Sequence, residues 1–203
     1  LAAGCSIIIK ASEIAPCAMF ELAYLIEKCG FPKGVVSVVT GDAKNCAEPL
    51  TSHPDIDRIA FTGGTHTARE IIKNSSNNFA ATNLELGGKS PLIVFEDADI
   101  ESAANGIIAG NFGASGQSCV AGSRVIVHKD ITQELIELIE KKAQSIVVGD
   151  PLNPKTNLGP LCTVKQIHLI EETLKKSIEQ GGGIIFGGKK IEQDGNYFEP
   201  TLI

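Results

Sequence analysis

Residues 116–124, GQSCVAGSR, place Cys119 among glycine and hydroxyl residues, and residues 82–88, TNLELGG, carry Glu85 just ahead of a glycine pair. The nucleophilic form of cysteine is the thiolate, which needs exposure and local positive potential. Gly113 and Gly116 allow tight backbone approach, and the Cys119 N–H can face an oxyanion formed at its own side chain. A carboxylate at a strand end, beside a cleft, can take a proton from water or from a thiol as a general base. The residues alone leave a second reading of each open. Free cysteine is among the most buried residue types, and a strand-end glutamate is often only solvated. Cys5, Cys17, Cys29, Cys46 and Cys162 have no comparable loop around them.

Whatever these groups do, secondary structure must position them. Short β-branched runs alternate with helix-period segments, which predicts an α/β fold with largely parallel strands. Strands are expected at CSIIIK (5–10), VVSVVTG (35–41), RIAFTGG (58–64) and TNLELGG (82–88), with helices at CAMFELAYLIEKCG and HTAREIIKNSS between them. Pro16 suits a first helical turn, and Gly30 suits a stop. The rhythm restarts with SPLIVFE (90–96), a helix over 100–115 capped by Asp99, and the strand SRVIVHK (123–129). Apolar residues at 135, 138, 139, 143, 146 and 147 form one helical stripe. Thr163 and Gln166 match a capping box for a helix that Gly181 ends. The expected domain seam is Gly87–Gly88, dividing residues 1–87 from residues 88–203. The chain starts on a strand with no preceding unit and stops in FEPTLI, so it reads as a piece of a longer protein.

Composition excludes several classes. A net charge of −6 argues against nucleic acid and anionic membrane as partners. No apolar run approaches the ~20 residues of a membrane span. The six cysteines form no C-x-x-C pair, and His53, His66, His128 and His168 are scattered, so neither a disulfide scaffold nor a metal site is expected. A reducing, cytoplasmic location follows as the default. GGGIIFGG (181–188) lacks the Lys-Ser/Thr and helix of a phosphate loop and reads as a helix cap leading into a strand and turn. NPKTNLGP reads as a surface loop.

LELGGKSPLIVFEDADIE followed by FGASGQSCVAGSR resembles the paired active-site signatures of the aldehyde dehydrogenase superfamily, and the 34 positions from Glu85 to Cys119 match its spacing. LAAGCSIIIKASEIAP and FTGGTHTA resemble, in the same order, its ribose-binding strand and its nucleotide turn. The resemblance implies a Rossmann-like, parallel-sheet portion of a cofactor domain over 1–87, followed by part of an α/β catalytic domain over 88–203. It implies that Cys119 attacks an aldehyde, that hydride passes to a nicotinamide, and that Glu85 activates the water releasing the acid, the two groups facing one crevice. Lys10 and Glu13 are expected to hold the adenosine ribose, and Gly63 and Gly64 to let the backbone approach the cofactor at a helix N-terminus. A carboxylate at position 13 favours the free 2′-hydroxyl of NAD, while Lys10 and Ser12 leave NADP possible. A homo-oligomer, dimer or tetramer, is the implied assembly of the parent protein.

Departures accompany the match. Ala68 stands where members usually have a turn-ending glycine, and Ala11 where many have proline. The family's oxyanion-hole asparagine and its second ribose glutamate fall outside the sequence, so weak or absent activity is expected of these residues alone. Two other readings are a CoA-acylating relative, against which Glu85 argues, and an inactive fragment or binding protein, against which Cys119 and Glu85 together argue.

Overall fold

The structure, a computed structural model, describes residues 1–203. They fall into two compact units, Leu1–Leu86 and Gly87–Ile203. In the first, β1 (Ile7–Lys10), α1 (Cys17–Lys28) and β2 (Val36–Val39) precede a π-helical turn at Ala43–Ala47 that runs into α2 (Glu48–Thr51). Then come β3 (Arg58–Gly63), α3 (Thr65–Ser75) and β4 (Ala81–Leu86). β1 pairs in parallel with β2, and β3 with β4. Parallel neighbours need a crossover, and α1 and α3 provide them, giving two β-α-β units. The protein is of the α/β class, as its residue rhythm predicts.

Local chemistry explains the element ends. Pro16 precedes the first turn of α1, Lys28 lies in its last turn, and Gly30 follows at φ +77°. The Ala11 amide donates to the Val39 carbonyl at 2.8 Å, extending the β1–β2 ladder, and Ala11 is buried. A proline at this position lacks that donor. Ala68, in the first turn of α3, is 2% exposed, so its methyl packs into the interior of the unit.

The second unit begins with β5 (Pro91–Val94), α4 (Ile100–Phe112) and β6 (Arg124–Val127), the two strands again parallel. α5 (Thr132–Ala143) and α6 (Val164–Glu179) follow. Val94, Ala104, Ile107, Leu135 and Ile139 form its buried core, joining β5, α4 and α5. Beyond α6, Phe186 bridges Leu202 and Lys190 bridges Phe198 in antiparallel sense, with Gly187 and Gly188 at positive φ. The glycine-rich segment is thus a helix exit and a turn.

Three expectations are corrected. α4 stops at Phe112 rather than at 115, because Ala114, Ser115 and Gly116 take positive φ. The apolar stripe of α5 ends at Ala143, and Val147 instead accepts amides from Asn157 and Leu158. At α6 the Gln166 amide donates to the Thr163 backbone carbonyl, and the Thr163 side chain makes no cap. With no side-chain cap, the first turn of α6 tightens on backbone atoms alone.

Leu135 is 1% exposed at the centre of this core. Leu135→Ala is expected to destabilise the second unit by ~2–5 kcal/mol, and Leu152→Ala on the surface by under about 0.5 kcal/mol. Urea titration of both variants checks this; equal midpoints would mean that the core is misassigned.

Candidate active site

Cys119 lies on the connection from α4 to β6. The core fixes where that connection starts, because Ile107 and Ala104 are buried about one and two turns before the end of α4. Its exit is fixed at Gly122, where an added Cβ would come within 2.9 Å of the Leu92 Cβ. Between these points Ala114 (φ +50°), Ser115 (φ +53°) and Gly116 (φ +71°) turn the chain through consecutive left-handed conformations. Left-handed backbone costs a non-glycine residue roughly 1–2 kcal/mol, so two such residues require support from their surroundings.

Polar ties supply it. The Ser115 hydroxyl donates to the Gly159 carbonyl at 3.2 Å, and the Gln117 amide to the Ala114 carbonyl at 3.1 Å. The Asn111 side-chain amide donates to the carbonyls of Ile107 (2.9 Å) and Gly122 (3.3 Å). The Arg124 Nε donates to the Lys89 carbonyl at 2.7 Å, holding the start of β6. Under the loop is a cavity of about 220 Å³ whose walls include Asn111, Phe112, Gly116, Ser118, Ala121 and Ser123. Cys119 itself is exposed and unpaired. Exposure does not single it out, since Cys5, Cys17, Cys29 and Cys162 are exposed too and Cys46 is half-buried. The loop around it does.

Glu85 is exposed on β4, one residue before the strand ends, opposite Thr62 of β3. It belongs to the first unit and Cys119 to the second. Lys10 and Glu13 are brought together: the Lys10 Nζ lies 2.9 Å from the Glu13 carboxylate. That contact holds the Glu13 carboxyl below the usual glutamate range, the hydrogen bond from Lys10 being the main cause. Gly63 ends β3, where an added Cβ would meet the Phe61 ring at 2.5 Å. Gly64 precedes α3 with open space where a side chain would stand, and no side chain caps the helix. Backbone amides at an uncapped N-terminus suit an anionic group.

The residue types missed two features. Asp42, three residues past the end of β2, accepts from the Asn45 backbone amide at 2.7 Å and from its side chain at 2.8 Å, which holds its carboxyl below the usual range. The glycine–aspartate pair ahead of a helical piece is its signal. Glu96, His128 and Asp130 come together past the ends of β5 and β6, with His128 Nε2 3.3 Å from Glu96 and Nδ1 3.8 Å from Asp130. The two ring nitrogens face different carboxylates. Strand register brings Glu96 beside His128, which Asp130 follows two residues on.

The aldehyde dehydrogenase family model matches residues 1–203, and the chain belongs to that family. It is 48% identical over 203 residues to (Z)-2-((N-methylformamido)methylene)-5-hydroxybutyrolactone dehydrogenase of Acinetobacter baylyi, covering all of this chain and 42% of that protein. Its fold is similar to PnpE in complex with nicotinamide adenine dinucleotide, with TM-score 0.96 and 44% identity over 98% of this chain and 42% of that one. It is also similar to betaine aldehyde dehydrogenase of Staphylococcus aureus in complex with NAD+, with TM-score 0.94 and 35% identity over 98% and 41%. The chain spans about 42% of the length of the first of these relatives. No helix is long and apolar enough to cross a membrane.

The Lys10–Glu13 pair gives a pH test. A carboxyl whose pKa is depressed by folding contributes stability above its unfolded pKa and loses it as pH falls through the folded value. Glu13 is therefore expected to titrate below an unpaired glutamate in NMR, and Lys10→Met to move its midpoint upward. A midpoint that ignores the substitution would show that the pair does not persist in solution.

Proposed function

We propose that the intact protein carrying these residues oxidises an aldehyde to its carboxylic acid with NAD, Cys119 being the nucleophile and Glu85 the base for hydrolysis. The observation that carries this is an exposed, unpaired Cys119 on a loop that spends backbone strain on its shape, in a chain matched throughout by the aldehyde dehydrogenase family. In this reading the first unit binds the cofactor and supplies the base Glu85, and the second supplies the nucleophile Cys119.

The Cys119 thiolate adds to the aldehyde carbon, and the carbonyl electron pair moves to oxygen, giving the oxyanion of a thiohemiacetal. A bound nicotinamide dinucleotide supplies the acceptor for the hydride whose loss leaves a thioester on the sulfur. Water then gives a proton to Glu85 as it attacks the thioester carbon, releasing the acid and restoring the thiolate. Glu13 and Lys10 suit the adenosine ribose: an ionised carboxylate accepts from a 2′-hydroxyl and repels a 2′-phosphate. The relatives include an Escherichia coli succinate-semialdehyde dehydrogenase named for NADP(+), 35% identical, so the family accommodates either dinucleotide. The unpaired cysteines support a reducing, cytoplasmic setting.

Cys119→Ala is expected to lower aldehyde-dependent NAD reduction by about three orders of magnitude or more. Glu85→Gln is expected to keep a first burst of NADH near one equivalent per site and to slow later turnover by about 10²–10⁴-fold. Stopped-flow absorbance at the NADH band, with acid product assayed in the absence of CoA, checks both. Unimpaired turnover by the Cys119 variant would remove the nucleophile assignment, and acid formation that requires CoA would remove the hydrolytic one.

A further inference from the structure

We propose that Asn111 is a positioning residue for Cys119, its side-chain amide tying the last turn of α4 to the far end of the loop and thereby setting how the thiol is presented. The proposal rests on the reading of Cys119 as the nucleophile. Asn111 spans the loop at its base: one side-chain nitrogen reaches the Ile107 carbonyl, one turn back, and the Gly122 carbonyl, eleven residues on. The first contact orients the amide along the helix, and the second closes the loop.

Packing does not hold this loop. It lies over a cavity of about 220 Å³, Gly113 and Gly116 offer no side chains, and Val120 beside the thiol is 80% exposed. A segment with so few apolar contacts opens at little free-energy cost unless polar ties close it. Ser115 ties the loop sideways to Gly159 and Arg124 holds the strand that follows; Asn111 joins the two ends. Without it the Gly122 carbonyl loses its side-chain donor, while the backbone at Gly122 still passes Leu92 too closely to admit a side chain. The entry would stay fixed by the core and the exit by that contact, leaving the arc between them free to sample other shapes. A thiolate depends on ordered amide dipoles around it, and misplacement by about 1 Å can cost on the order of 10²-fold in rate.

The test uses the intact protein with Asn111→Leu, which keeps size and raises helix propensity while removing both donors, and Asn111→Gln, which restores an amide. Iodoacetamide alkylation followed by mass spectrometry gives the rate at Cys119 relative to Cys46, beside thermal melting and the split of kcat from KM. The expected result is a fall in the Cys119-to-Cys46 ratio of about tenfold in the Leu variant, partial recovery in the Gln variant, and a loss in kcat of about 10–100-fold with KM little moved. A ratio unchanged or raised, or a parallel rise at both cysteines from general loosening, overturns the proposal. If the Leu variant does not fold, Asn111→Ser, which keeps one donor, is read by the same ratio. Because the ratio needs no turnover, it is separable from the function: active Cys119→Ala would sink the reading of the nucleophile, whereas an unmoved ratio would sink only the role of Asn111.

Discussion

The contact of α4 with α5 and β5 is what the rest of the second unit depends on. Ala104 is fully buried, and Ile107, Leu135, Ile139 and Val94 complete the cluster, so α4 has a single seat in depth and rotation. The Lys142–Glu101 ion pair at 2.5 Å crosses between the same helices on their exposed side. It adds little to stability at a surface, but it opposes sliding of one helix along the other. Because α4 cannot rotate, Asn111 faces the loop, and the strained turn begins where the helix stops. A reactive loop can be thinly packed only if its two ends are held more firmly than its middle.

The parallel pairs show a second constraint. Parallel strands are ordinarily covered on both faces and so carry apolar residues on both. Ile93 and Ile126 are register partners and are 58% and 51% exposed, while Leu92, Val94, Val125 and Val127 face the core cluster. In the first unit β1 exposes Ile7 and Ile8, and α1 has no buried residue. These strands are therefore patterned for two covered faces, which is why the sequence reads as near-continuous β-branched runs rather than as alternation. In the β1–β2 pair the candidate binding groups also follow from strand direction: Lys10 ends β1, and Glu13 follows it at the carboxyl side, where ligand sites of open α/β sheets lie.

Much of this was legible because it is local. The run IIIK, the Pro16 to Gly30 helix, and Asp99 accepting from the Ser102 amide at 2.7 Å each involve residues within a few positions of one another. Where local signals competed, the pattern misled. Thr163 and Gln166 have the types of a capping box, yet the backbone carbonyl of Thr163 took the bond its side chain was expected to make. The end of α4 was hidden because alanine and serine do not announce left-handed backbone as glycine does; their conformation is imposed by the Ser115 tie to Gly159, 44 residues away. Asn111 looks in the sequence like one polar residue in a helix, and its meaning depends on where Gly122 lies. Glu96 meets His128 and Asp130 only through the pairing of Val94 with Val127. Burial misled as well: the type preference of cysteine points inward, whereas none of the six is buried.

The two units hold their candidate groups by different means, and the difference bears on pH. Lys10 and Glu13 are joined by charge, so their arrangement changes when the carboxylate is protonated, below the usual glutamate range. The loop that carries Cys119 is held by an amide, a hydroxyl and a guanidinium, each donating to a backbone carbonyl. Amides and hydroxyls do not titrate in water at accessible pH, and a guanidinium keeps its proton throughout. The loop scaffold is thus indifferent to pH over the range in which a thiol ionises.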